Sequence, residues 1–536
     1  MGKKDKKKGK GAEKTAAKTE KKQSSKFKKE LAAKGEEDIE TILSKIVADE
    51  KRKADITEDL VPPPSKRTSF TLTPHPDKDQ LILFGGEYFN GTKTLVYNDL
   101  FFYTIKQDRW IKLTSPGGPP PRTAHQTVAL SQAGGQLWVF GGEFTSTTQS
   151  QFYHYKDLWV FHFKTKQWEK ISATGGPSSR SGHRMVAVKK QLIVFGGFHD
   201  NAREFKYFND IYSFNLENYE WKKLECSGNG PCPRSACQMT GISDGRILIY
   251  GGYSKEKVKK DVDKGITHTD MYILAPDKHD TTGLKWKWQS VKQSGVRPSP
   301  RSGFIMAPCG GDRAVAFGGV YDEEDEEEEL EGVFYNDLFQ LDLAKTTWHE
   351  VVVTGKKDVE KKVRRKKKND GEGEEEEDEE EEENSDEVKA MEKMKVEDEG
   401  EKVVSDDGIF TVTIGPSAST QGVGDNSCSN GKAVDVFVPP PRISCGMAVK
   451  RGILYMYGGM YEDGDKQLTL NDFYSLDLNK LEEWQTIIPL KPEDLEWYES
   501  DSSDDEMDDD DDDDDDEEDD DDEDDDDEDD EEMDTE

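Results

Sequence analysis

Six times along the chain a short apolar run ends in two adjacent glycines, and no other feature constrains the fold as strongly. The runs occupy 81–84, 137–140, 192–195, 247–250, 314–317 and 453–457. They precede Gly85-Gly86, Gly141-Gly142, Gly196-Gly197, Gly251-Gly252, Gly318-Gly319 and Gly458-Gly459. Successive copies lie 56, 55, 55, 67 and 140 residues apart, so the last interval holds one unit plus an insertion. A sustained period of this length marks stacked supersecondary units, none of which can bury its apolar faces alone.

Each copy carries the same sequel. A polar-Asp-apolar triplet comes first: Asn98-Asp99-Leu100, Lys156-Asp157-Leu158, Asn209-Asp210-Ile211, Thr269-Asp270-Met271, Asn336-Asp337-Leu338 and Asn471-Asp472-Phe473. A tryptophan follows, at Trp110, Trp168, Trp221, Trp286 or Trp288, Trp348 and Trp484. A turn rich in Gly and Pro then leads to an Arg-Ser-Gly-like start, at Arg122-Thr123-Ala124, Arg180-Ser181-Gly182, Arg234-Ser235-Ala236, Arg301-Ser302-Gly303 and Arg442-Ile443-Ser444. Arg67-Thr68-Ser69 begins the first copy. The runs are short, β-branched or aromatic, and bounded by Gly or Pro, which reads as strand. Paired glycines permit positive φ where backbones crowd. A tryptophan wedged between adjacent sheets buries on the order of 200 Å². Four strands per copy and six copies therefore predict an all-β chain, a six-bladed β-propeller that leaves only short edges.

These residues resemble the kelch repeat family, whose hallmark is a double glycine followed by separated Tyr and Trp. The resemblance spans about 62–489 less the insertion. WD-repeat propellers are excluded because no tryptophan here is followed by Asp. Within the family, the arrangement is similar to the kelch domain-containing protein 4 family. The matching features are Met1-Gly2-Lys3-Lys4, Leu83-Phe84-Gly85-Gly86-Glu87-Tyr88-Phe89-Asn90-Gly91, Gln151-Phe152-Tyr153-His154-Tyr155-Lys156-Asp157-Leu158 and Gly251-Gly252-Tyr253-Ser254-Lys255. The split before the last repeat and the acidic C-terminus also match. The resemblance implies a kelch propeller and no defined activity. Blades are expected near 62–114, 118–172, 177–225, 230–292, 297–354 and 438–489.

Charge divides the rest of the chain. The formal net charge is −41, concentrated outside the repeats. Residues 501–536 hold 31 acids and no base, and 369–401 hold 19 acids against three lysines. Residues 1–29 hold 13 lysines against three acids, and 361–368 hold seven Lys or Arg in eight. Such blocks cannot bury enough apolar surface to offset ordering entropy, so a basic tail (1–29), a charged insertion (356–436) and an acidic tail (490–536) are expected to be disordered. Residues 30–60 are expected as a helical segment and linker, because Ile39, Ile42, Leu43, Ile46 and Val47 fall on one helical face. Packing on the propeller is the expectation for that helix, with partner binding as the alternative.

No apolar run approaches the eighteen or so residues of a membrane span. Lys6 stands where a myristoylation signal wants Ser or Thr, and the lysine-rich start lacks a secretory apolar region. The chain is expected to be intracellular, nuclear and/or cytoplasmic, and monomeric. Its six cysteines, at 226, 232, 237, 309, 428 and 445, match no common zinc spacing and are expected as reduced structural thiols.

Binding is expected where the b–c loops, between the Gly-Gly strand and the Asp strand, share a face with the d–a turns. Long loops on a rigid scaffold collect binding residues. Other kelch propellers use the arginine that begins strand a to reach ligand carboxylates in a central pocket. That resemblance nominates Arg122, Arg180, Arg234, Arg301 and Arg442, since guanidinium pairs bidentately with carboxylate. The alternative is that they anchor the d–a turns by hydrogen bonding to carbonyls. Aromatic candidates near the loop starts are Tyr88, Phe144, Tyr155, Phe198, Tyr253, Tyr321 and Tyr461, each equally able to pack the loop on its own blade.

No P-loop, nucleophile elbow or metalloprotease motif is present, so no catalytic residue, metal or cofactor is expected. The function expected is a non-enzymatic interaction scaffold, a chaperone or adaptor whose acidic tail meets basic clients such as histones or ribosomal proteins. Nucleic-acid binding is expected to be no more than weak, through the Lys-rich segments. A substrate-recognition subunit of a ubiquitin ligase is the alternative, and an enzyme on a kelch propeller the minor one.

Overall fold

The computed structural model describes residues 31, 36–53, 55–200, 205–259, 262–324, 330–355, 404–406, 411–413, 436–464 and 466–495. The Lys-rich segments 1–29 and 361–368 and the acidic segments 369–401 and 501–536 lie outside the described residues.

Six four-stranded antiparallel sheets follow one another along the chain. Blade 1 comprises strands a (Thr71–Pro74), b (Gln80–Phe84), c (Leu100–Thr104) and d (Arg109–Thr114). Blade 2 comprises Gln126–Leu130, Gln136–Phe140, Leu158–His162 and Gln167–Ile171, and blade 3 Arg184–Val188, Gln191–Phe195, Ile211–Asn215 and Glu220–Lys223. Blade 4 comprises Gln238–Gly241, Ile247–Lys259, Val262–Pro276 and Lys285–Ser290. Blade 5 comprises Ile305–Gly310, Arg313–Phe317, Leu338–Asp342 and Thr347–Glu350, and blade 6 Gly446–Lys450, Ile453–Asp463, Lys466–Asp477 and Trp484–Ile488. The a strands meet one another in turn around the ring, so a is innermost and d outermost. The fold is a six-bladed β-propeller.

Strand b is buried on both faces, which is why it reads as a continuous apolar run rather than an alternating one. In blade 1, Leu81 and Leu83 pack toward blade 6, while Ile82 and Phe84 pack toward blade 2. Every junction holds one such two-blade core. There the strand-d tryptophan of one blade meets the aromatic ring just before the glycine pair in strand b of the blade before it. The pairs are Trp168–Phe84, Trp221–Phe140, Trp288–Phe195, Trp348–Tyr250, Trp484–Phe317 and Trp110–Tyr457, with centroids 5.0 to 5.9 Å apart. Trp288 rather than Trp286 is therefore the repeat tryptophan of blade 4. Each pair contributes about 0.5–1.5 kcal/mol beyond area burial.

The paired glycines are needed where blades touch. Gly85 has φ +69°, and a Cβ there would lie 2.6 Å from the Arg122 carbonyl of the next blade. Backbone bonds cross the same place: Gly86 N–H donates to Arg122 O, and Arg122 N–H to Tyr97 O. Deeper in, the third residue of each arginine motif bonds around the axis: Ala124 to Ser69, Gly182 to Ala124, Ala236 to Gly182, Ser444 to Gly303 and Ser69 to Ser444. Ring closure thus uses the same bonds as the internal junctions, and every four-stranded blade comes from one contiguous stretch.

One junction differs. Among the described residues, none of these three bonds crosses from blade 4 to blade 5, where Gly252, Arg301 and Gly303 would make them. The Gln238 side chain spans the seam instead, its Nε2 donating to Phe304 O at 2.8 Å and its Oε1 accepting from Met306 N at 3.0 Å.

Outer edges are covered too. Thr57–Val61, expected as linker, pairs antiparallel with strand d of blade 1 as a fifth strand. Glu225–Ser227 and Ser294–Gly295 do the same in parallel on blades 4 and 5. Covering edge backbone removes unpaired donors and acceptors that would otherwise recruit another chain. The five described cysteines, Cys226, Cys232, Cys237, Cys309 and Cys445, are unpaired thiols.

Candidate functional site

The b–c connections are hairpins rather than irregular loops. They are Glu87–Phe89 with Thr94–Val96, Glu143–Thr145 with Phe152–His154, Phe198–Asp200 with Phe205–Tyr207, and Val320–Glu324 with Leu330–Phe334. In blades 4 and 6, strands b and c run on past the glycines to form theirs. Each hairpin is tied to the start of its blade's inner strand by a single bridge: Thr68 to Glu87, Thr123 to Glu143, Ser181 to Phe198, Ser235 to Tyr253, Ser302 to Val320 and Ile443 to Met460. A two-stranded ribbon alone is marginal in water; here the blade below and the neighbouring hairpins hold it.

The five arginines are placed inside this framework and not around a pocket. Arg122, Arg180, Arg234 and Arg442 are fully buried, and Arg301 retains 5% exposure. Arg180 shows the pattern completely: Nε donates to Ser178 O (3.0 Å), Nη1 to Gly196 O (2.9 Å) and Asp210 Oδ1 (2.7 Å), Nη2 to Asp210 Oδ2 and Ser178 Oγ (both 3.2 Å). All five N–H groups are committed. Arg122 pairs likewise with Gly141 O and Asp157, Arg234 with Gly251 O and Asp270, Arg301 with Gly318 O and Asp337, and Arg442 with Gly458 O and Asp472. The aspartate of every triplet is therefore the counter-ion of the arginine that starts the same blade. The Arg122 guanidinium holds the Asp157 carboxyl below its ordinary range, offsetting the burial that pushes it up. In place of a carboxylate-binding ring, these residues clamp strands a, b and c together. In the first copy Arg67 bonds Gly85 O at 3.1 Å and stands 3.5 Å from Asp99, which Lys112 shares.

The aromatic candidates separate into two groups. Phe144 and Tyr155 are buried, and the Tyr155 ring lies 4.2 Å under the Arg122 guanidinium while its Oη donates to Pro121 O. Tyr88, Phe198, Tyr253, Tyr321 and Tyr461 are partly exposed on the hairpins of blades 1, 3, 4, 5 and 6. Phe198 stacks on Tyr207 at 5.9 Å, and burial pushes the Tyr461 hydroxyl up.

Phe144 and Tyr155 are covered by the N-terminal helix, Ile39–Arg52, which Asp38 caps. Leu43 is its one buried residue, with Ile39, Ile42 and Ile46 partly buried beside it and Val96. Its ends are pinned by polar bonds: Ile39 N to Gln151 Oε1 (2.9 Å), Gln151 Nε2 to Glu37 O (2.8 Å) and Asn98 Nδ2 to Glu50 Oε1 (2.9 Å). A cleft of about 460 Å³ remains beneath it, lined by Leu43, Val47, Tyr153, Tyr155 and Trp159 among others.

Two features escaped sequence reasoning. Leu95, Phe152 and Tyr153 stand 48%, 47% and 37% exposed on the adjoining hairpins of blades 1 and 2. Glu87 and Glu143 follow the glycine pair directly in those blades only, which was the available signal. Burial pushes the Glu87 carboxyl up to about 7; burial, with Glu87 nearby, pushes Glu143 up to about 8.

A family model described as FBX42, beta-propeller domain, matches residues 67–272. Kelch domain-containing protein 3 of Bos taurus and of Homo sapiens are each 29% identical over 202 residues, 36% of this chain and 50% of theirs. N-(sulfonatooxy)prop-2-enimidothioate sulfolyase of Thlaspi arvense is 26% identical over 277 residues, 50% of this chain and 75% of its own. The chain thus spans about half the length of the first of these relatives. The solved structure of YjhT aligns with 80% of this chain and 99% of its own, at 14% identity and a TM-score of 0.45. With its six Gly-Gly, Asp, Trp and Arg signatures arranged as six blades, the chain is a β-propeller similar to the kelch-repeat proteins.

Proposed function

We propose that this protein is a non-enzymatic interaction scaffold that takes hold of partner proteins with its hairpin face. The observation that carries the reading is the exposed apolar trio Leu95, Phe152 and Tyr153, raised on hairpins above a rigid ring. Large side chains exposed on hairpins above a rigid scaffold stand where binding residues tend to collect. The arginines support the reading indirectly, because their commitment to the scaffold leaves recognition to the hairpins. The acidic C-terminal segment adds 31 carboxylates for basic partners, adaptor- or chaperone-like, in the nucleus and/or cytoplasm.

Quantitative affinity purification from cells tests this with three forms: wild type, a form ending at Ser500, and the triple variant Leu95→Ser, Phe152→Ser, Tyr153→Ser. Partners lost with the triple variant are the expected result, and basic partners lost with the tail identify the clients. The same partner list from all three forms would overturn the reading. Cullin components lost with the hairpin residues would assign the face to a ubiquitin-ligase receptor.

A further inference from the structure

Burying a carboxylate is costly unless a cation or several hydrogen bonds compensate. Glu87 and Glu143 lie side by side where the hairpins of blades 1 and 2 meet the inner strands. Ser181 Oγ donates to Glu143 Oε2 at 3.1 Å, while the Thr123 hydroxyl beside Glu87 donates to Ser69 O at 3.4 Å. Among the described residues, no lysine or arginine pairs with either carboxylate. Glu143 leans on a single hydroxyl, and its side chain keeps 16% of its surface open.

A second observation points into the same place. His154 is 95% buried, and its Nδ1 lies 3.4 Å from Glu143 Oε2 with no hydrogen-bond partner. Its Nε2 accepts from the Asp200 backbone N–H at 3.0 Å, so the neutral ring carries its proton on Nδ1, aimed at the carboxylate. Burial, with His199 beside it, holds His154 down to about 4, so it is neutral at pH 7 and brings no compensating charge. Phe198 packs against His154 at 5.4 Å and stacks on Tyr207, giving the site an aromatic wall. Two carboxyl groups without a counter-charge beside an aromatic wall form an arrangement that an organic cation completes, drawing them into their charged form.

We propose that Glu87 and Glu143 form a receptor for one cationic side chain, a lysine or arginine of a bound protein, flanked by Phe198. This rests on the scaffold reading and adds to it what the partner must present. The bound ammonium or guanidinium supplies the missing counter-charge, and the two carboxylates take up its N–H donors. His154 lies beside Glu143 and does not bind the cation.

The probe is a fluorescent pentapeptide, Gly-Gly-Lys-Gly-Gly with blocked ends, and its acetyl-lysine counterpart. Both are titrated by anisotropy at physiological salt against the full chain, as wild type and as the double variant E87Q/E143Q. The acidic tail contributes equally to both proteins. The expected result is at least tenfold tighter binding of the lysine peptide by wild type than by the variant, with the acetyl-lysine peptide unable to tell them apart. The variant's thermal midpoint is expected to equal or exceed that of wild type, because Gln keeps the Ser181 bond and replaces two carboxyl groups that lack a counter-charge. Equal affinity of both proteins for the lysine peptide overturns the proposal, as does a lowered midpoint without change in affinity, which would make the carboxylates internal partners of Thr123 and Ser181. Either failure leaves the hairpin-dependent partner list, and so the scaffold reading, intact.

Discussion

His183 is fully buried with both ring nitrogens unbonded, its ring edge-on to Phe140 at 5.1 Å. The same slot holds Phe70, His125, Cys237, Phe304 and Cys445 in the other blades, so it does not require a polar ring. Burial holds His183 well below its ordinary pKa, and His125 is held at about 3. The native state then binds no proton at these rings while the unfolded chain does, so stability is lost as pH falls below about 6.5, by about 1.4 kcal/mol per pH unit for each. His183→Phe is expected to flatten the fall in thermal midpoint between pH 7 and 5; an unchanged fall would show that other groups set it. The arginine–aspartate clamp is the other residue-scale device. Asp472 and Arg442 are both fully buried, so Asp472→Asn leaves an uncompensated guanidinium and is expected to cost about 3–5 kcal/mol in urea unfolding. Sequence displayed both residue types in every copy. Their pairing was not legible, because 30 to 36 residues separate partners that meet only when three strands align.

At the scale of elements, the N-terminal helix was legible from its apolar spacing because a helix on a surface must show one stripe. Its landing place was not, since Phe144 and Tyr155 lie more than 90 residues away. Leu43→Asp is expected to release the helix and raise amide exchange in 143–154, with only a small drop in midpoint, as the ring beneath is complete without it. A cooperative loss of the whole fold would instead make the helix part of the core. Thr57–Val61 could not be anticipated: four of its five side chains are exposed, so it carries no period-two apolar signal and is held mainly by backbone pairing. The hairpins hid for a related reason, because their ribbons face the neighbouring hairpins and the axis and mix charged with aromatic residues.

At the scale of the whole molecule, six interlocked cores make each blade depend on two neighbours. Removing 455–484 is expected to abolish a soluble, cooperatively melting protein, because it bares one face each of blades 5 and 1. The ring was legible from the repeat; its uneven closure was not, because the arginine motif of blade 5 matches the others in sequence. Only the structure shows that, among the described residues, the blade 4–5 seam lacks the three junction backbone bonds and is spanned near the axis by Gln238. Gln238→Ala is therefore expected to speed amide exchange in 302–306 before any other inner strand. The hairpins are the proposed recognition face, and exposed lysines mark both faces: Lys93, Lys206, Lys255 and Lys257 on the hairpins, Lys106, Lys164, Lys189 and Lys345 on the opposite turns. Crosslinking mass spectrometry of the full chain with its cellular partners tests that placement most directly. Partner crosslinks gathered on the first four lysines are the predicted result, whereas crosslinks gathered on the last four would contradict it.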